Sequence, residues 1–118
     1  MKERRRHIRV QTPVLIDFVT PATAVAERSF TQDVSEWGCR FPTAAKLSVG
    51  QELDITIRLP FSDEALKATG EVVWVREVSR LGAPQYDVGV RFRWIEDPDR
   101  RRLVRHLAGM LRQAPVVE

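Results

Sequence analysis

From Glu52 to Leu59 apolar and polar residues swap at every step, so Leu53, Ile55, Ile57 and Leu59 share one face and Glu52, Asp54, Thr56 and Arg58 the other. A period of two is the signature of a strand with one side in a core and the other in water. Val14, Ile16 and Phe18 alternate in the same way, and the stretch Tyr86 to Arg93 puts Tyr86, Val88, Val90 and Phe92 on one side. A further strand is predicted from Thr69 to Arg76, through Val72-Val73-Trp74-Val75. Two shorter ones, Arg28 to Gln32 and Trp37 to Phe41, flank a polar turn at Asp33. Pro21, Pro42, Gly50, Pro60, Gly82 and Pro84 punctuate the series. Six strands result.

The period changes after Asp97. That residue is a candidate N-cap, and Pro98 stands where a first helical residue is expected. Leu103, Val104, Leu107, Met110 and Leu111 then recur at helical spacing, which predicts one amphipathic helix over 98–113, ending near Pro115. Short antiparallel strands followed by one helix predict a mainly β protein, a six-stranded antiparallel barrel with the helix against its mouth or flank.

With 118 residues, 43% hydrophobic and 30% charged, the chain suits one globular domain with a single core. The expected division is an N-terminal segment 1–9, a barrel 10–93 and the helix. Net charge is +3, carried by 16 Arg against 3 Lys. Arginine's planar fork suits phosphate and the guanine edge better than a lysine point charge does, although a GC-rich genome gives the same bias. Cys39 is the only cysteine, which excludes an intrachain disulfide or a cysteine zinc site and fits a reducing compartment. No apolar run approaches the ~20 residues of a membrane span, and the charged start lacks a signal-peptide core. A cytoplasmic location is expected.

Two polar clusters carry candidate chemistry. The first is Glu3-Arg4-Arg5-Arg6-His7-Ile8-Arg9, whose arginines can clamp phosphate or address O6 and N7 of guanine; a solvated basic tail has the same composition. The second is Asp33-Val34-Ser35-Glu36-Trp37-Gly38. Its carboxylate can accept from the N1 and N2 donors of guanine, Ser35 can donate and accept, and Gly38 supplies a positive φ or a close backbone approach. An Asx or Ser turn bracing a hairpin would use the same residues.

Arg5-x-x-x-Arg9 followed by Asp33-x-Ser35-x-x-Gly38 resembles the two-part signature of PilZ domains, bacterial receptors for cyclic di-GMP. Gly70-Glu71-Val72-Val73-Trp74 and Val88-Gly89-Val90-Arg91-Phe92 resemble the later strands of that family. The resemblance implies a six-stranded barrel with a C-terminal helix, a non-catalytic receptor and no cofactor other than the ligand itself. It implies that Arg5 and Arg9 grip guanine and phosphate from a flexible N-terminal loop, that Asp33 and Ser35 read guanine, and that Gly38 is the turn glycine. An arginine at the position of Arg4 goes with two stacked ligand molecules per site. Trp74 stands where some members set a tryptophan against guanine, and a packing role suits it equally. Binding is then expected to order the arginine segment against the barrel and so to signal to an unidentified protein partner.

No Ser-His-Asp ordering, Walker loop or Gly-x-Gly-x-x-Gly is present, and His7 and His106 lack a second ligand for a metal. Arg100, Arg101, Arg102 and Arg105 read as a solvated helix face, open to a protein or an acidic lipid. The alternatives are a small basic barrel that stacks single-stranded nucleic acid on Trp37, Trp74 and Trp94, and a PilZ-like adaptor that acts by protein contact alone. The first gives no reason for the Asp33-Ser35-Gly38 pattern, so nucleic acid is not the expected partner.

Overall fold

A computed structural model describes residues 9–21, 24–60 and 62–113. Its elements in chain order are β1 (Leu15–Val19), β2 (Ala26–Phe30), β3 (Asp33–Ser35), β4 (Gly38–Thr43), β5 (Glu52–Arg58), β6 (Ala65–Arg80), β7 (Ala83–Ile95) and α1 (Asp97–Gln113). The strands form one antiparallel sheet in the order β2-β1-β5-β6-β7-β4-β3. The sheet curls into a half-barrel whose concave side holds the core. Among the described residues no helix is long and apolar enough to cross a membrane.

The alternation in β5 is obeyed closely: Leu53, Ile55 and Ile57 are buried, whereas Glu52, Asp54 and Arg58 are exposed. Ile16 and Phe18 of β1 point the same way, and Phe18 meets Phe41 of β4 with ring centroids 5.0 Å apart, a tilted aromatic contact across the core. Leu103 and Leu107 of α1 are fully buried. Each such leucine contributes about 2–3 kcal/mol by leaving water. The helix is tied down at its start, where the Asp99 carboxylate accepts from the Lys67 backbone N–H at 3.2 Å and from Arg102 at 2.8 Å. Its first turn begins one residue earlier than the Asp97 cap predicts, with the Glu96 carbonyl accepting from the Arg100 N–H.

Seven strands replace the predicted six. The extra one is β3: Asp33, Val34 and Ser35 are a strand and not a turn, and the reversal falls on Glu36 and Trp37. The segment ahead of β1 flanks it, with Val10 and Val34 exchanging both backbone hydrogen bonds at 2.9 and 3.0 Å. Nearby, the buried Thr31 hydroxyl accepts from the Val14 N–H and donates to the Thr12 carbonyl, so it is satisfied in both senses. Ser29 donates to the Pro42 carbonyl, linking β2 to β4 and drawing the sheet's two ends together.

β6 and β7 run well past the predicted Thr69–Arg76 and Tyr86–Arg93, as a long hairpin closed by Leu81 and Gly82 at φ 53° and 78°. Positive φ at both central residues is the twist-matched two-residue turn of hairpins. Two register shifts interrupt the ladder, one of them between Val72 and Trp74.

Candidate functional site

Strand register builds the site as two rows across the outer face of the half-barrel. In the first, Asp33 of β3 pairs with Arg40 of β4, Arg40 with Gly89 of β7, and Gly89 with Trp74 of β6. In the second, Ser35 pairs with Gly38, Gly38 with Arg91, and Arg91 with Glu71. Residues directly opposite in a ladder point to the same face, so each row brings together side chains far apart in the chain.

Trp74 owes its place to the bulge at Val73. Plain alternation from Glu71 would turn Val73 outward and Trp74 inward; the extra residue sets Trp74 opposite Gly89 instead. Its indole then lies over Gly89, where any Cβ would collide with the ring. Gly38 meets a different constraint, since a Cβ there would strike the Val90 carbonyl oxygen. It is not among the positive-φ residues, so it serves close strand approach and not turn conformation.

Above these two glycines lies an open cavity of roughly 450 Å³, lined by Arg9, Asp33, Trp37, Gly38, Cys39, Arg40, Val73, Trp74, Gly89, Val90 and Arg91. Asp33, only 8% exposed, anchors its polar end. Arg9 Nη1 donates to Asp33 Oδ1, and Arg40 Nε lies 3.2 Å from Oδ2 without the alignment of a hydrogen bond. One carboxylate oxygen is thereby engaged, and the other keeps acceptor capacity beside two cations. Trp74 and Trp37 are both about two-fifths exposed, and the Arg100 guanidinium lies 5.1 Å from the Trp37 ring centre in a cation–π contact. Burial, with the Asp33 charge adding to it and Arg9 opposing, pushes the Cys39 thiol up to about 12. It is protonated at neutral pH and offers no nucleophile.

Four of the expected site residues, Arg9, Asp33, Gly38 and Trp74, thus share one cavity. Ser35 does not line it. Buried at 2% exposure, Ser35 Oγ accepts from the Trp37 N–H at 3.1 Å and faces the Gly38 carbonyl at 3.5 Å, which braces the β3–β4 turn. Arg4 and Arg5 lie outside the described residues. The helix arginines are not all a free solvated face: Arg100 packs on Trp37, and Arg102 pairs with Asp99 and Glu64, leaving Arg101 and Arg105 on the exposed side. Arg40, Gly89 and Arg91 are not among the expected binding residues, and Trp37 is one only for the nucleic-acid alternative. A glycine inside the strand run Val88-Gly89-Val90 was the available signal for one of them. Among the described residues no cluster of three or more His, Cys, Asp or Glu could hold a metal.

Comparison with solved structures shows the same fold. The PilZ domain of YcgR from Escherichia coli, solved with c-di-GMP, aligns with a TM-score of 0.69 at 18% identity over 94% of each chain. The Bacillus subtilis inhibitor of motility MotI (DgrA) aligns with a TM-score of 0.76 at 16% identity, over 97% of this chain and 55% of its own. The K. pneumonia MrkH–c-di-GMP complex gives 0.75 at 18%, over 95% and 54%. The chain therefore spans about half the length of MotI and MrkH. No curated protein sequence matches it. The model of the PilZ domain matches residues 3–109, nearly the whole chain, from the arginine run to the last turns of α1. On that match, with the fold in agreement, the chain belongs to the PilZ domain family.

Proposed function

We propose that this chain is a receptor for cyclic di-GMP that binds it on the outer face of the half-barrel, over Gly38 and Gly89, without catalysis. The observation that carries the reading is the meeting of Arg9, Asp33 and Gly38, from both halves of the signature, with Trp74 at one cavity. Structures of YcgR and MrkH with c-di-GMP support the choice of ligand. Asp33 takes the N1 and N2 donors of one guanine on its two carboxylate oxygens, with Oδ1 shared with Arg9, Trp74 offers a ring face to a base, and Arg9 turns to phosphate or base while staying next to Asp33. Ser35 acts at one remove, holding the turn that presents Gly38 and Trp37. Arg5, and Arg4 with a second stacked ligand molecule, complete the site from the segment that leads into Val10. Ordering of residues 1–9 against the barrel is the output, read by a protein partner in the cytosol.

Charge-assisted hydrogen bonds net about 1.5–3 kcal/mol each, so three or four of them reach the ~8 kcal/mol of a micromolar complex once ordering costs are subtracted. Calorimetric titration with cyclic di-GMP tests the reading. Binding is expected near micromolar, and Asp33→Ala should weaken it by about tenfold or more. No heat at roughly tens of micromolar ligand would defeat it. Salt-sensitive binding of generic single strands would point to nucleic acid instead.

A further inference from the structure

Two arginine–carboxylate groups flank the glycine floor of the cavity. On one side Asp33 stands between Arg9 and Arg40. On the other, Glu71 Oε1 accepts from Arg91 Nη2 at 3.1 Å and from Arg93 Nη1 at 2.9 Å. Each group holds two guanidiniums and one carboxylate, and so keeps one net positive charge. A cyclic dinucleotide carries two phosphodiester charges on opposite sides of its ring. We propose that Arg91 is a phosphate-gripping residue at the end of the site away from Asp33, with Glu71 as its positioning residue. The proposal rests on the cyclic dinucleotide reading and adds to it a second anion contact.

Three observations single out Arg91. Its register opposite Gly38 sets its side chain on the ligand face, and it lines the cavity, which Arg93 does not. Its side chain is 61% exposed, and only Nη2 is paired, with Glu71, among the described residues. The remaining donors of the fork are the geometry that phosphate oxygens accept. Glu71 is held by Arg93 and then Arg91 below the usual carboxylate range, so it stays charged and keeps the guanidinium oriented at neutral pH. Because Arg93 shares the same oxygen, Glu71 restrains Arg91 without cancelling its charge. A bidentate guanine contact depends on the planar fork more than a phosphate contact does, because a phosphate is bound well by a lysine point charge, and this difference in degree separates the two ligand groups.

The experiment is calorimetric titration of the whole chain with cyclic di-GMP, each variant first checked for a native thermal transition. Arg91→Ala should weaken binding about tenfold, and Arg91→Lys should stay within about threefold of wild type. Arg76→Ala, on the hairpin and paired with Asp87, should bind as wild type does. Glu71→Gln should weaken binding severalfold, and adding it to Arg91→Ala should cost nothing more, because a positioning residue has no effect once its target is gone. Arg91→Ala within twofold of wild type overturns the proposal. So does Arg91→Lys as weak as Arg91→Ala, which would put the arginine on a base, or a full additive loss in the double variant. A wild-type chain that does not bind at all removes the receptor reading itself, whereas these variant results leave that reading standing.

Discussion

The two glycines of the cavity floor separate packing from binding at single positions. At Gly38 an added methyl meets backbone, the Val90 carbonyl, and β4 and β7 must move apart to admit it. Gly38→Ala should therefore cost about 1–3 kcal/mol of stability, measured by denaturant unfolding. At Gly89 the three atoms nearest the added methyl all belong to the Trp74 indole, a partly exposed side chain that can swing toward solvent. Gly89→Ala should unfold within about 1 kcal/mol of wild type, yet lose affinity for cyclic di-GMP because the stacking surface is displaced. Equal stability losses at both positions would show that Trp74 is locked and not adjustable. Ser35 teaches a related lesson: its place in a polar motif suggests ligand contact, while within the turn its hydroxyl accepts from the Trp37 N–H and faces the Gly38 carbonyl. A serine's side chain carries no mark in sequence of which partner it will choose.

At the level of elements, the β6–β7 turn offers the clearest test. Leu81 sits at φ 53°, fully exposed, in the left-handed region that costs a side-chain-bearing residue about 1–2 kcal/mol. Leu81→Asn, which makes the preferred Asn-Gly pair, should stabilise the hairpin by about 1 kcal/mol, seen as a raised Tm. An unchanged Tm would mean the hairpin tip opens independently of the rest. Leucine at such a turn also leaves the strand ends unmarked in sequence, since Gly82 and Pro84 mark a loop there but not a two-residue reversal. Strand β5 was legible because one face is core and the other water, a contrast that alternation records directly. Strand β3 was not, because Asp33 and Ser35 are buried polar residues in a strand, and they look like turn residues to any reading of polarity. Trp74 was assigned through the family resemblance; its outward aim depends on the bulge at Val73, and bulges break the period on which strand reading depends.

For the molecule as a whole, acid sensitivity should follow the carboxylates shared by paired arginines. Asp17 accepts from Arg28 at 2.8 Å and from Arg58 at 2.7 Å, and these bonds hold its carboxyl below the ordinary 3.8 against the opposing pull of desolvation. A depressed folded value means the contribution is complete above the unfolded value and is lost as pH falls through the folded one, that is, below about pH 4. With both arginines about half exposed or more, the effect is on the order of 1 kcal/mol. Asp17→Asn should remove that much at neutral pH and flatten the acid limb of a stability–pH curve; an unaltered limb would assign acid unfolding to other groups. The pairing of Val10 with Val34 bears on a different observable. Among the described residues, two amides, each hydrogen-bonded to the other residue's carbonyl, are the ladder that sets the chain ahead of β1 beside β3. So short a ladder opens far more often than the core strands do, and its amides should exchange with deuterium well before those of β5. Ligand held by Arg9 and Asp33, on either side of this pair, should slow both amides together while leaving β5 amides unchanged, making the pair a built-in reporter of occupancy.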